Sequence, residues 1–525
     1  MTLHELLAEL AATHPDRPAI VDGDRTVTFS ALRDEVDHVA SGLAALGLAH
    51  GDRIAVWLPN GLPMITLVLG AAKLGAISVI INTRYQKAEL EGLLSRTRAK
   101  VLALATDFRG IPFLDILEAV PAEKLSHLKY VVNCPPAADI GAPVGQMLSY
   151  ESLTAATPDK IAPANEQDPC AMFATSGTTR APKLVMHCQR AIVRHGKDNG
   201  QALGYASEGA VMLQALPLCG VFGFSQFMGA LANGRPSVFM EAFDSGEALR
   251  IIERHRVTHF NATDDMLVRI LDEAKPGQLA SLREVGFASF TGTNAEALVA
   301  RAQEEAGIVL RGLFGMSELQ ALYAAQPADL PVSERAKPGG FPVSAGGAAR
   351  VTHPETGEVL APGEIGALEF KGPSRFVAYY EDPEATKEVL SEDGWFSSGD
   401  AGELEADGRF LFRGRMGDTL RLGGFLVSAR EIEGVLDDHP DVASTQVVGV
   451  NDGAVPVAVA FVIPVEGKTP DADALRRHCA DHLAKYKVPR TVIPVAEFET
   501  VTGPNGTKVQ KQKLREIAEQ AIRSG

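Results

Sequence analysis

Near the end of its first third the chain reads Ala171-Met172-Phe173-Ala174-Thr175-Ser176-Gly177-Thr178-Thr179-Arg180-Ala181-Pro182-Lys183. The apolar residues that open this stretch predict a buried strand, and the small and polar residues after them predict a loop. Gly177 allows the backbone to approach an anion, and Lys183 supplies a mobile positive charge. The loop also carries hydroxyl groups that can donate hydrogen bonds, at Thr175, Ser176, Thr178 and Thr179. The stretch therefore has the chemistry of a phosphate-binding loop.

Two other interpretations of this loop are available. A Walker loop, G-x-x-x-x-G-K-[ST], is disfavoured because Lys183 follows Pro182 and precedes Leu184, so the second glycine and the magnesium-binding hydroxyl are missing. A Ser/Thr-rich surface turn stays open on composition alone. The remainder of the chain has to decide between a turn and a ligand site.

The composition is that of a multi-domain enzyme with a large aliphatic core. The chain has 525 residues, of which 46% are apolar and 6% aromatic, which is enough for about three or four compact units. Its formal net charge of -16 argues against nucleic acid or an anionic membrane surface as the main partner, because both attract positively charged proteins. An anionic ligand would need a local basic pocket.

Cysteine usage and the N-terminal residues favour a cytoplasmic protein. The five cysteines are scattered and lack C-x-x-C spacing, so we expect no zinc or redox site, and a reducing cytoplasm fits best. The N-terminal residues are acidic where a signal peptide would be basic, so we expect no signal peptide.

One apolar stretch, Met64 to Ile81, has the length of a membrane span. Lys73 in its middle would cost about 2.5 to 3.5 kcal/mol to insert. Gly75 divides the stretch, so we predict a buried helix followed by a strand.

Alternating helices and strands predict layered α/β architecture. Ser30 is placed to cap an amphipathic helix, and Gly47 is placed to end it. Pro135 to Pro143 is typical of a surface connection. Strands are predicted at Ile54 to Leu58, Ile77 to Ile81 and Lys100 to Ala105.

The character of the sequence changes twice in the last third. From Gly339 onward short strands alternate with glycine turns, which predicts a smaller β-rich unit. Beyond Arg415 roughly a hundred residues form an α+β set that is large enough for a domain. We therefore predict an N-terminal domain over residues 1–416 and a C-terminal domain over residues 417–525, with Gly417 as the pivot.

Four further motifs each have an ordinary structural explanation when taken alone. They are Gly312-Leu313-Phe314-Gly315-Met316-Ser317-Glu318, Trp395-Phe396-Ser397-Ser398-Gly399-Asp400, Gly414-Arg415-Met416-Gly417-Asp418 and Asn505-Gly506-Thr507-Lys508-Val509-Gln510-Lys511-Gln512-Lys513-Leu514-Arg515. A glutamate after serine is common at a helix start, and an aspartate beside glycine is common in a turn. The last motif fits a basic helix start in which Lys511 and Lys513 are solvated surface charges.

Together with the loop, these motifs resemble, in order, the signatures of the adenylate-forming superfamily, which includes acyl-CoA synthetases, luciferases and peptide-synthetase adenylation domains. The family motifs are T-S-G-T-T-G-x-P-K-G, G-Y-G-x-T-E, W-x-x-T-G-D, G-R-x-[KD]-D and [ST]-G-K-[IV]-x-[KR]-x-x-L-R. A weaker match, Gly292-Thr293-Asn294, falls where the family lines the adenine pocket. The resemblance covers nearly the whole chain. It implies a large N-terminal domain of layered α/β sheets plus a β-rich unit, followed by a small mobile α+β C-terminal domain.

The resemblance implies an ATP site with bound Mg²⁺. The loop would bind the phosphates, with Lys183 in a catalytic role. Phe314 and Gly315 would belong to the nucleotide site, where Phe314 stacks on adenine. Ser317 would contact the α-phosphate, and Glu318 would ligate Mg²⁺, an ion that prefers hard carboxylate oxygens.

The other motifs complete the implied site. Asp400 would hold the ribose hydroxyls, for which a carboxylate is a suitable acceptor. Arg415 would also reach ribose or phosphate. Lys508 would be the catalytic lysine of the C-terminal domain, and Gly417 falls at the position where the family has its hinge.

The implied reaction is a two-step acid–thiol ligation, as in AMP-forming acyl-CoA synthetases. A carboxylate attacks the α-phosphorus of ATP, pyrophosphate leaves, and a thiol then displaces AMP from the acyl-adenylate. ATP, Mg²⁺ and coenzyme A are the implied cofactors. The implied partners are a small-molecule carboxylic acid and CoA, without nucleic acid or integral membrane contact, and a homo-oligomer is compatible with them.

The substrate class is predicted from residues 217–225, which correspond to the region where amino-acid-activating relatives carry an aspartate. No carboxylate stands here, so a substrate with a buried ammonium group is disfavoured. Gly220 stands where many acyl-CoA synthetases have histidine, and with Phe222 it is predicted to line the acyl pocket. The apolar lining favours a fatty or aromatic acid, while plain core packing is the alternative role for Phe222.

Two alternative functions stay open. The enzyme could load its acyl group onto a separate carrier protein, although the end of the sequence at Gly525 favours free CoA over a fused assembly line. A nucleotide-binding relative without ligase activity is the other alternative, because Arg180 and Gly220 depart from the family pattern. The presence of both Lys508 and Glu318 argues against this second alternative.

Overall fold

The computed structural model of the chain describes residues 1–106, 108–134, 143–158, 161–162, 164–175, 183–289, 293–416, 419–422, 425–453, 455–483, 485–503 and 506–524. For residues 501–503 and 506–508 it describes the backbone. Several predictions fall outside these ranges, namely those for residues 135–142, Ser176, Gly177, Thr178, Thr179, Arg180, Gly292 and Gly417.

The larger part of the molecule ends at Arg415 and alternates helices with strands. Its helices are α1 (Leu3–Thr13), α2 (Phe29–Ala45), α3 (Leu62–Lys73), α4 (Lys87–Thr97), α5 (Phe113–Glu118), α6 (Tyr150–Thr154), α7 (Gln189–Ala202), α8 (Val221–Ala232), α9 (Ser245–His255), α10 (Asp264–Glu273), α11 (Ala295–Ala306), α12 (Val332–Arg335) and α13 (Pro383–Val389). Its strands are β1 (Pro18–Asp22), β2 (Arg25–Thr28), β3 (Arg53–Trp57), β4 (Ile77–Ile80), β5 (Val101–Leu104), β6 (Tyr130–Asn133), β7 (Gln146–Ser149), β8 (Pro169–Ala174), β9 (Leu184–Cys188), β10 (Met212–Gln214), β11 (Ser237–Phe239), β12 (His259–Thr263), β13 (Glu284–Ala288), β14 (Val309–Phe314), β15 (Ala324–Ala325), β16 (Gly339–Pro342), β17 (Ala348–Thr352), β18 (Gly366–Lys371), β19 (Ala378–Tyr379), β20 (Phe396–Leu404) and β21 (Phe410–Arg415).

The phosphate-type loop belongs to a sheet whose described strands follow the order β19-β9-β8-β4-β3-β5-β6-β7. The strands from β8 to β7 are parallel, β9 returns antiparallel to β8, and the two-residue β19 is added antiparallel to β9. Strands β4 and β5 are buried along their whole length, as expected of parallel strands that are covered on both faces. The three strands predicted ahead of the loop are observed as β3, β4 and β5.

A second sheet joins the other strands of this part in the described order β17-β18-β20-β21-β16-β15-β14-β13-β12-β10-β11-β1-β2. The run from β14 to β1 is parallel, and the predicted β-rich unit extends it through antiparallel pairs of β14, β15, β16 and β21. Gly339 and Gly340 of β16 permit this junction. Their φ values are 132° and 110°, and a Cβ on either would lie 2.1 Å from a carbonyl oxygen of a neighbouring strand. The β-rich unit is therefore continuous with the α/β sheet.

The apolar stretch Met64 to Ile81 forms most of α3 and all of β4 inside the core, as predicted. Gly75, with φ of 70°, makes the turn between them. Lys73 ends the helix and pairs with Asp37 at 2.7 Å. In the part of the chain that the structure describes, no helix has the length and hydropathy that crossing a membrane requires.

Helix α2 begins earlier than the sequence suggested, so the prediction of a Ser30 cap is wrong. Thr28 is the cap, and its hydroxyl accepts a hydrogen bond from the Ala31 amide at 3.2 Å. Serine and threonine are both good caps, so the choice depends on packing. Phe29, which is fully buried, becomes the first helical residue and enters the core.

Beyond residue 418 the described residues form a smaller α+β unit with its own buried core. Its elements are β22 (Thr419–Leu422), β23 (Phe425–Ser428), α14 (Ala429–Asp437), β24 (Val442–Asp452), β25 (Val455–Pro464), α15 (Ala472–His482), β26 (Thr491–Pro494), β27 (Thr500–Gly503), β28 (Gly506–Val509) and α16 (Lys511–Ser524). Strands β24 to β26 form one sheet, and β22–β23 and β27–β28 are separate hairpins. The predicted two-domain architecture is observed, while the boundary between residues 416 and 417 stays a prediction.

Lys511 contradicts the prediction that the basic residues of the last motif are solvated. Its ammonium lies 3.1 Å from the Glu433 carboxylate, and the two side chains are only 20% and 10% exposed. Glu433 also accepts a hydrogen bond from the Val447 amide at 2.8 Å. The ion pair therefore joins α16 to α14 and β24. Lys513 is 47% exposed and pairs with Glu499, as a surface charge does.

We predict that Lys511→Ala destabilises the smaller unit by about 2 to 3 kcal/mol, because it leaves the Glu433 carboxylate buried without its cation. Lys513→Ala is the matched control and should change the free energy of unfolding by less than about 0.5 kcal/mol. Hydrogen–deuterium exchange of peptides from α14, β24 and α16 measures both effects. Equal exchange in the two variants would show that the Lys511 pair has no structural role.

Candidate active site

The phosphate-type loop leaves the end of β8 and returns as β9. Its base is closed by a hydrogen bond from the Thr175 amide to the Lys183 carbonyl oxygen, at 2.9 Å. This bond places Lys183 directly beside the end of β8. The remaining predicted phosphate contacts lie outside the described residues and stay predictions: Ser176, Gly177, Thr178 and Thr179.

A tyrosine joins two of the predicted site residues, Lys183 and Glu318. Tyr379 of β19 donates a hydrogen bond from its hydroxyl to Glu318 Oε1, at 2.8 Å. The Lys183 Nζ lies 4.5 Å from the centre of the Tyr379 ring, which is within the range of cation–π attraction. Glu318 is 7% exposed and lies in a short 3-10 turn, Ser317–Leu319, that follows β14. Sequence reasoning missed Tyr379, because its position results from the pairing of β19 with β9.

The Tyr379 hydroxyl is a neutral donor at physiological pH. Burial raises its pKa well above the ordinary value for tyrosine, and the negative charge of Glu318 raises it further. The positive charge of Arg415 lowers the same pKa, so Arg415 lies within electrostatic range of this group.

Residues 317–322, called the strap below, contain Glu318 and adopt an unusual backbone conformation just after it. Gln320, Ala321 and Leu322 have φ values of 60°, 46° and 43°, a region that residues other than glycine rarely adopt. Gly315 allows the strap to fold back on the end of β14, since a Cβ there would lie 2.5 Å from the Ala321 Cα. Strain of this kind persists only where the surroundings hold it.

Buried side chains from three elements hold the strap by its carbonyl oxygens. The donors lie on β9, α7 and α8, and the bonds are His187 Nε2 to Ser317 O at 2.8 Å, His195 Nε2 to Ala321 O at 2.9 Å, and the Ser225 hydroxyl to Gln320 O. The strap is therefore fixed on both sides of Glu318.

The two histidines act as neutral donors. Burial lowers the pKa of His187 and of His195 to about 4, from an ordinary value of 6.5. A carbonyl oxygen can only accept, so each imidazole carries its proton on Nε2. Neither histidine was singled out from the sequence, since a single histidine outside any motif, within a strand or a helix, is more often a core residue.

The predicted ribose residues lie together on neighbouring strands. Asp400 of β20 stands opposite Arg415 of β21, with Oδ1 3.1 Å from Arg415 Nη1. The Ser398 hydroxyl accepts from the Asp400 amide at 3.0 Å, and the Ser398 carbonyl oxygen accepts from Arg415 at 3.2 Å. The Asp400 side chain is 4% exposed and that of Arg415 is 55% exposed, so the pair connects the interior with the surface. Their roles toward ribose stay predictions.

Phe314, the predicted adenine-stacking residue, lies in an aromatic cluster. Its ring centre is 5.1 Å from the ring centres of Phe370 and Phe410 and 5.5 Å from that of Phe412. It is 8% exposed. Phe314 is thus a core residue in this structure, and its contact with adenine stays a prediction.

The predicted adenine-pocket residues Thr293 and Asn294 follow β13, the parallel neighbour of β14. They therefore lie at the same edge of the sheet as Phe314, where ligands of open α/β sheets usually bind. Asn294 caps α11 by accepting from the Ala297 amide at 3.0 Å. Gly292 lies outside the described residues.

A buried amide fixes the predicted acyl-pocket segment. Gly220 is the N-cap residue of α8, and Phe222 is buried in the first turn of that helix. Asn60 accepts from the Leu218 amide at 2.7 Å and donates to the Leu216 carbonyl oxygen at 3.1 Å. The sequence did not single out Asn60, because its contacts depend on two segments that are far apart along the chain.

The same segment packs against the strand that carries the loop. The Phe224 ring centre lies 5.3 Å from that of Phe173 in β8, and the Phe173 ring lies 6.2 Å from that of His187. Residues 217–225, called the acid segment below, therefore share one layer of packed side chains with β8 and β9, the hairpin that carries the loop. His187 of this layer also binds the strap.

The C-terminal motif is placed only in part. Lys508 lies in β28, opposite Val501 of β27, and the structure describes its backbone but not its side chain. Gly417 lies outside the described residues. The catalytic role of Lys508 and the hinge role of Gly417 stay predictions.

The surroundings of Glu318 fit a hard divalent cation such as Mg²⁺. Tyr379 takes one oxygen of this carboxylate, and among the described residues no other donor reaches it. The described residues contain no group of three or more His, Cys, Asp and Glu side chains that could hold a metal ion. Mg²⁺ with phosphates is usually bound by one or two carboxylates together with ligand oxygens, and Glu318 offers one such carboxylate.

This fold and site define the class of enzymes that activate a carboxylic acid as its adenylate. The chain belongs to the AMP-binding enzyme family. The sequence model of that family matches residues 7–380, and the family model of the AMP-binding enzyme C-terminal domain matches residues 431–503. The predicted superfamily, the fold class and an acid–thiol ligase of the AMP-forming type are confirmed.

Relatives of known name match over nearly their whole lengths. Sulfoacetate–CoA ligase of Cupriavidus necator is 30% identical, with 98% of this chain and 97% of that protein covered. A ligase of Mycobacterium tuberculosis named for 3-[(3aS,4S,7aS)-7a-methyl-1,5-dioxo-octahydro-1H-inden-4-yl]propanoyl:CoA is 31% identical, with 98% and 99% covered. The ATP-bound crystal structure of MatB from Rhodopseudomonas palustris covers 99% of this chain and 100% of its own, with a TM-score of 0.84 and 25% identity.

We predict that His195 makes the stability of the larger domain depend on pH. The pKa of His195 is the ordinary 6.5 in the unfolded chain and about 4 in the folded chain, so protonation below pH 6.5 favours the unfolded chain. The stability that the neutral imidazole contributes is therefore fully present above pH 6.5 and is lost as pH falls. Between pH 7.5 and pH 5.0 the loss from His195 alone should be about 2 kcal/mol. His195→Gln, which keeps a donor, should show a correspondingly smaller loss.

Urea unfolding at the two pH values, followed by tryptophan fluorescence, measures this difference, because Trp57 and Trp395 both lie in the larger domain. His127→Gln, at an exposed position, is the control and should lose as much stability as the wild type. If His195→Gln loses as much unfolding free energy between the two pH values as the control does, the buried imidazole is not the source of the pH dependence.

Proposed function

We propose that this enzyme joins a fatty or aromatic carboxylic acid to coenzyme A, using ATP and Mg²⁺ and passing through an acyl-adenylate. The observation that carries the proposal is that Tyr379 contacts both Lys183 and Glu318. The acid segment nearby contains no charged side chain. Tyr379 thus contacts both a cation suited to phosphate and a carboxylate suited to a metal ion. These are the two charges that ATP with bound Mg²⁺ requires.

The first step joins two anions, so its barrier is largely electrostatic. A carboxylate oxygen of the acid attacks the α-phosphorus, and the bond to pyrophosphate breaks. Lys183 at the loop and Lys508 from the C-terminal domain supply positive charge as negative charge grows on the phosphate oxygens. Glu318 would hold Mg²⁺, which would neutralise phosphate charge when bound. Asp400 and Arg415 orient the nucleotide through its ribose.

In the second step the thiol sulfur of CoA attacks the acyl carbonyl carbon. The bond from that carbon to the adenylate oxygen breaks, AMP leaves, and the thiol proton passes to solvent. We propose that the C-terminal domain rotates about Gly417 between the steps, so that Lys508 serves only the first. A rotation of this kind removes the lysine and opens a path for the thiol.

The environment of α8 supports an apolar acid. All of its residues, Val221–Ala232, are buried, and the helix contains no charged side chain. Its two polar side chains are already used: Ser225 donates to the strap, and Gln226 donates to the Leu213 carbonyl oxygen at 2.8 Å. An ammonium group buried here would lack a partner, which is costly. The relatives named above carry very different acids in their names, so we do not transfer one of those acids to this chain.

A cytoplasmic enzyme that uses free CoA is part of the proposal. All five cysteines are free thiols, which supports a reducing compartment. Loading of a carrier protein instead of CoA is the alternative for the second step.

The proposal is tested by incubating the protein with ATP, Mg²⁺, CoA and a panel of fatty, aromatic and amino acids, with products identified by mass spectrometry. We expect acyl-CoA and AMP from a fatty or an aromatic acid and from no amino acid. Pyrophosphate without thioester would favour loading of a carrier protein. A chain that forms neither product with any acid would be a binding protein, contrary to the proposal. Glu318→Gln is the inactive control.

We predict that Lys508→Ala lowers the rate of adenylate formation by at least about 100-fold, because it removes charge that is needed in the first transition state. The same variant should convert a supplied acyl-adenylate and CoA into thioester at a rate within about twofold of the wild type. Lys513→Ala, an exposed lysine on the following helix, is the control and should affect neither step. Equal loss of both half-reactions in Lys508→Ala would rule out a role confined to adenylation.

A further inference from the structure

We propose that Tyr379 is a positioning residue that keeps the metal-binding carboxylate of Glu318 and the ammonium of Lys183 apart and separately available. This inference rests on the proposed function, since it assumes that both groups serve ATP with a bound divalent cation. The hydroxyl and the ring of Tyr379 have different tasks in it. The hydroxyl orients Glu318, and the ring holds Lys183.

The backbone fixes Tyr379 beside the loop. In the pairing of β19 with β9, Tyr379 stands opposite Val185, two residues after Lys183. Backbone hydrogen bonds from Val377 to Met186 and from Tyr380 to Leu184, both at 2.8 Å, hold this register. The Tyr379 side chain can therefore reach from the loop hairpin to the strap without any flexible connection.

The hydroxyl determines how Glu318 can bind a cation. Its hydrogen bond of 2.8 Å goes to Oε1, so Oε2 is the oxygen that is left for a metal ion. A carboxylate that is held at one oxygen has a fixed direction and binds through the other. Groups that orient a metal ligand in this way usually contribute about 10- to 100-fold to metal affinity.

The ring keeps Lys183 from neutralising Glu318. The ammonium lies 4.5 Å from the ring centre, and among the described residues no carboxylate lies within ion-pair distance of it. Cation–π attraction is weaker than a buried ion pair, so a phosphate group can displace the ring easily. Lys183 and Glu318 both contact Tyr379, so without the ring we expect the ammonium to pair with the carboxylate, and both groups would lose their ligand.

Ordinary core packing is the competing explanation. Tyr379 is 5% exposed, and its ring centre lies 4.8 Å from that of Phe376, so the ring contributes to the core in any case. Packing does not need the hydroxyl, however, and Tyr379→Phe keeps the ring. Tyr323 offers a matched control, because its buried hydroxyl donates to the carbonyl oxygens of Ala348 and Lys371, at 2.8 and 3.0 Å, and does not touch Glu318.

The test measures Mn²⁺ binding by electron paramagnetic resonance in the presence of ATP and without any acid, so it does not depend on turnover. Tyr379→Phe should raise the dissociation constant of Mn²⁺ about 10-fold, while Tyr323→Phe should change it less than about twofold. In a chain that already carries Glu318→Gln, Tyr379→Phe should have no further effect. An unchanged Mn²⁺ affinity in Tyr379→Phe, or an additive effect in the double variant, would overturn the proposal.

The task of the ring is tested by ATP binding without metal. Tyr379→Leu should weaken this binding about 3-fold relative to Tyr379→Phe, because Lys183 then pairs with Glu318. Adding Glu318→Gln to Tyr379→Leu should restore the affinity, and failure of that rescue would contradict the spacer role. Thermal unfolding of each variant separates these effects from loss of the fold. If the acid panel yields no thioester while these shifts occur, the proposed reaction fails and the role of Tyr379 stands.

Discussion

The candidate site depends on hydrogen bonds from buried side chains to the carbonyl oxygens of the strap. A backbone with three successive positive φ values at residues other than glycine is unfavourable by itself, and it needs external hydrogen bonds to persist. His187 and His195 supply two of them from positions that exclude water and keep both imidazoles neutral. Because the two histidines lie on β9 and α7, the position of Glu318 is tied to the same segment of chain that carries the loop. The fold thereby fixes the Glu318 carboxylate relative to Thr175 and Lys183, the two ends of the loop.

The acid segment contacts both the strap and the strand that leads into the loop. Ser225 holds the strap from α8, and Phe224 of the same helix packs on Phe173 of β8. A change in this segment, which is predicted to line the acyl pocket, therefore acts directly on the neighbours of Glu318. We infer that adaptation to a new acid is easier at Gly220 and Phe222, in the first turn of α8, than at the two residues that follow. Substitutions at Phe224 and Ser225 would disturb β8 and the strap, and with them the predicted phosphate and metal sites.

The sequence singled out candidate ligand-binding residues, whose roles stay predictions, but not the residues that hold them in place. Motifs identified Glu318, Asp400 and Arg415, since these residues stand beside glycines and hydroxyls at short, fixed spacings. Tyr379 and His195 have no such signature, because the contacts of each depend on long-range packing or strand pairing that a single sequence does not display. The two wrong predictions have the same origin. Thr28 replaces Ser30 as the helix cap because Phe29 enters the core, and Lys511 is only partly exposed because it pairs with Glu433 of a distant helix.

The C-terminal unit adds a constraint on how Lys508 can act. The hairpin β27–β28 that carries it is followed at once by α16, whose first residue Lys511 is bound to Glu433. A further hydrogen bond of 2.8 Å runs from the Gln510 amide to the Glu499 carbonyl oxygen and closes the hairpin at its base. The hairpin is thus fixed to the body of its own domain and has little freedom to swing alone. If Lys508 enters the site for one step and leaves for the next, the domain has to move as a rigid body. The part of the chain that permits this motion must then lie between Arg415 and the first strand of that domain, where the sequence predicts the pivot.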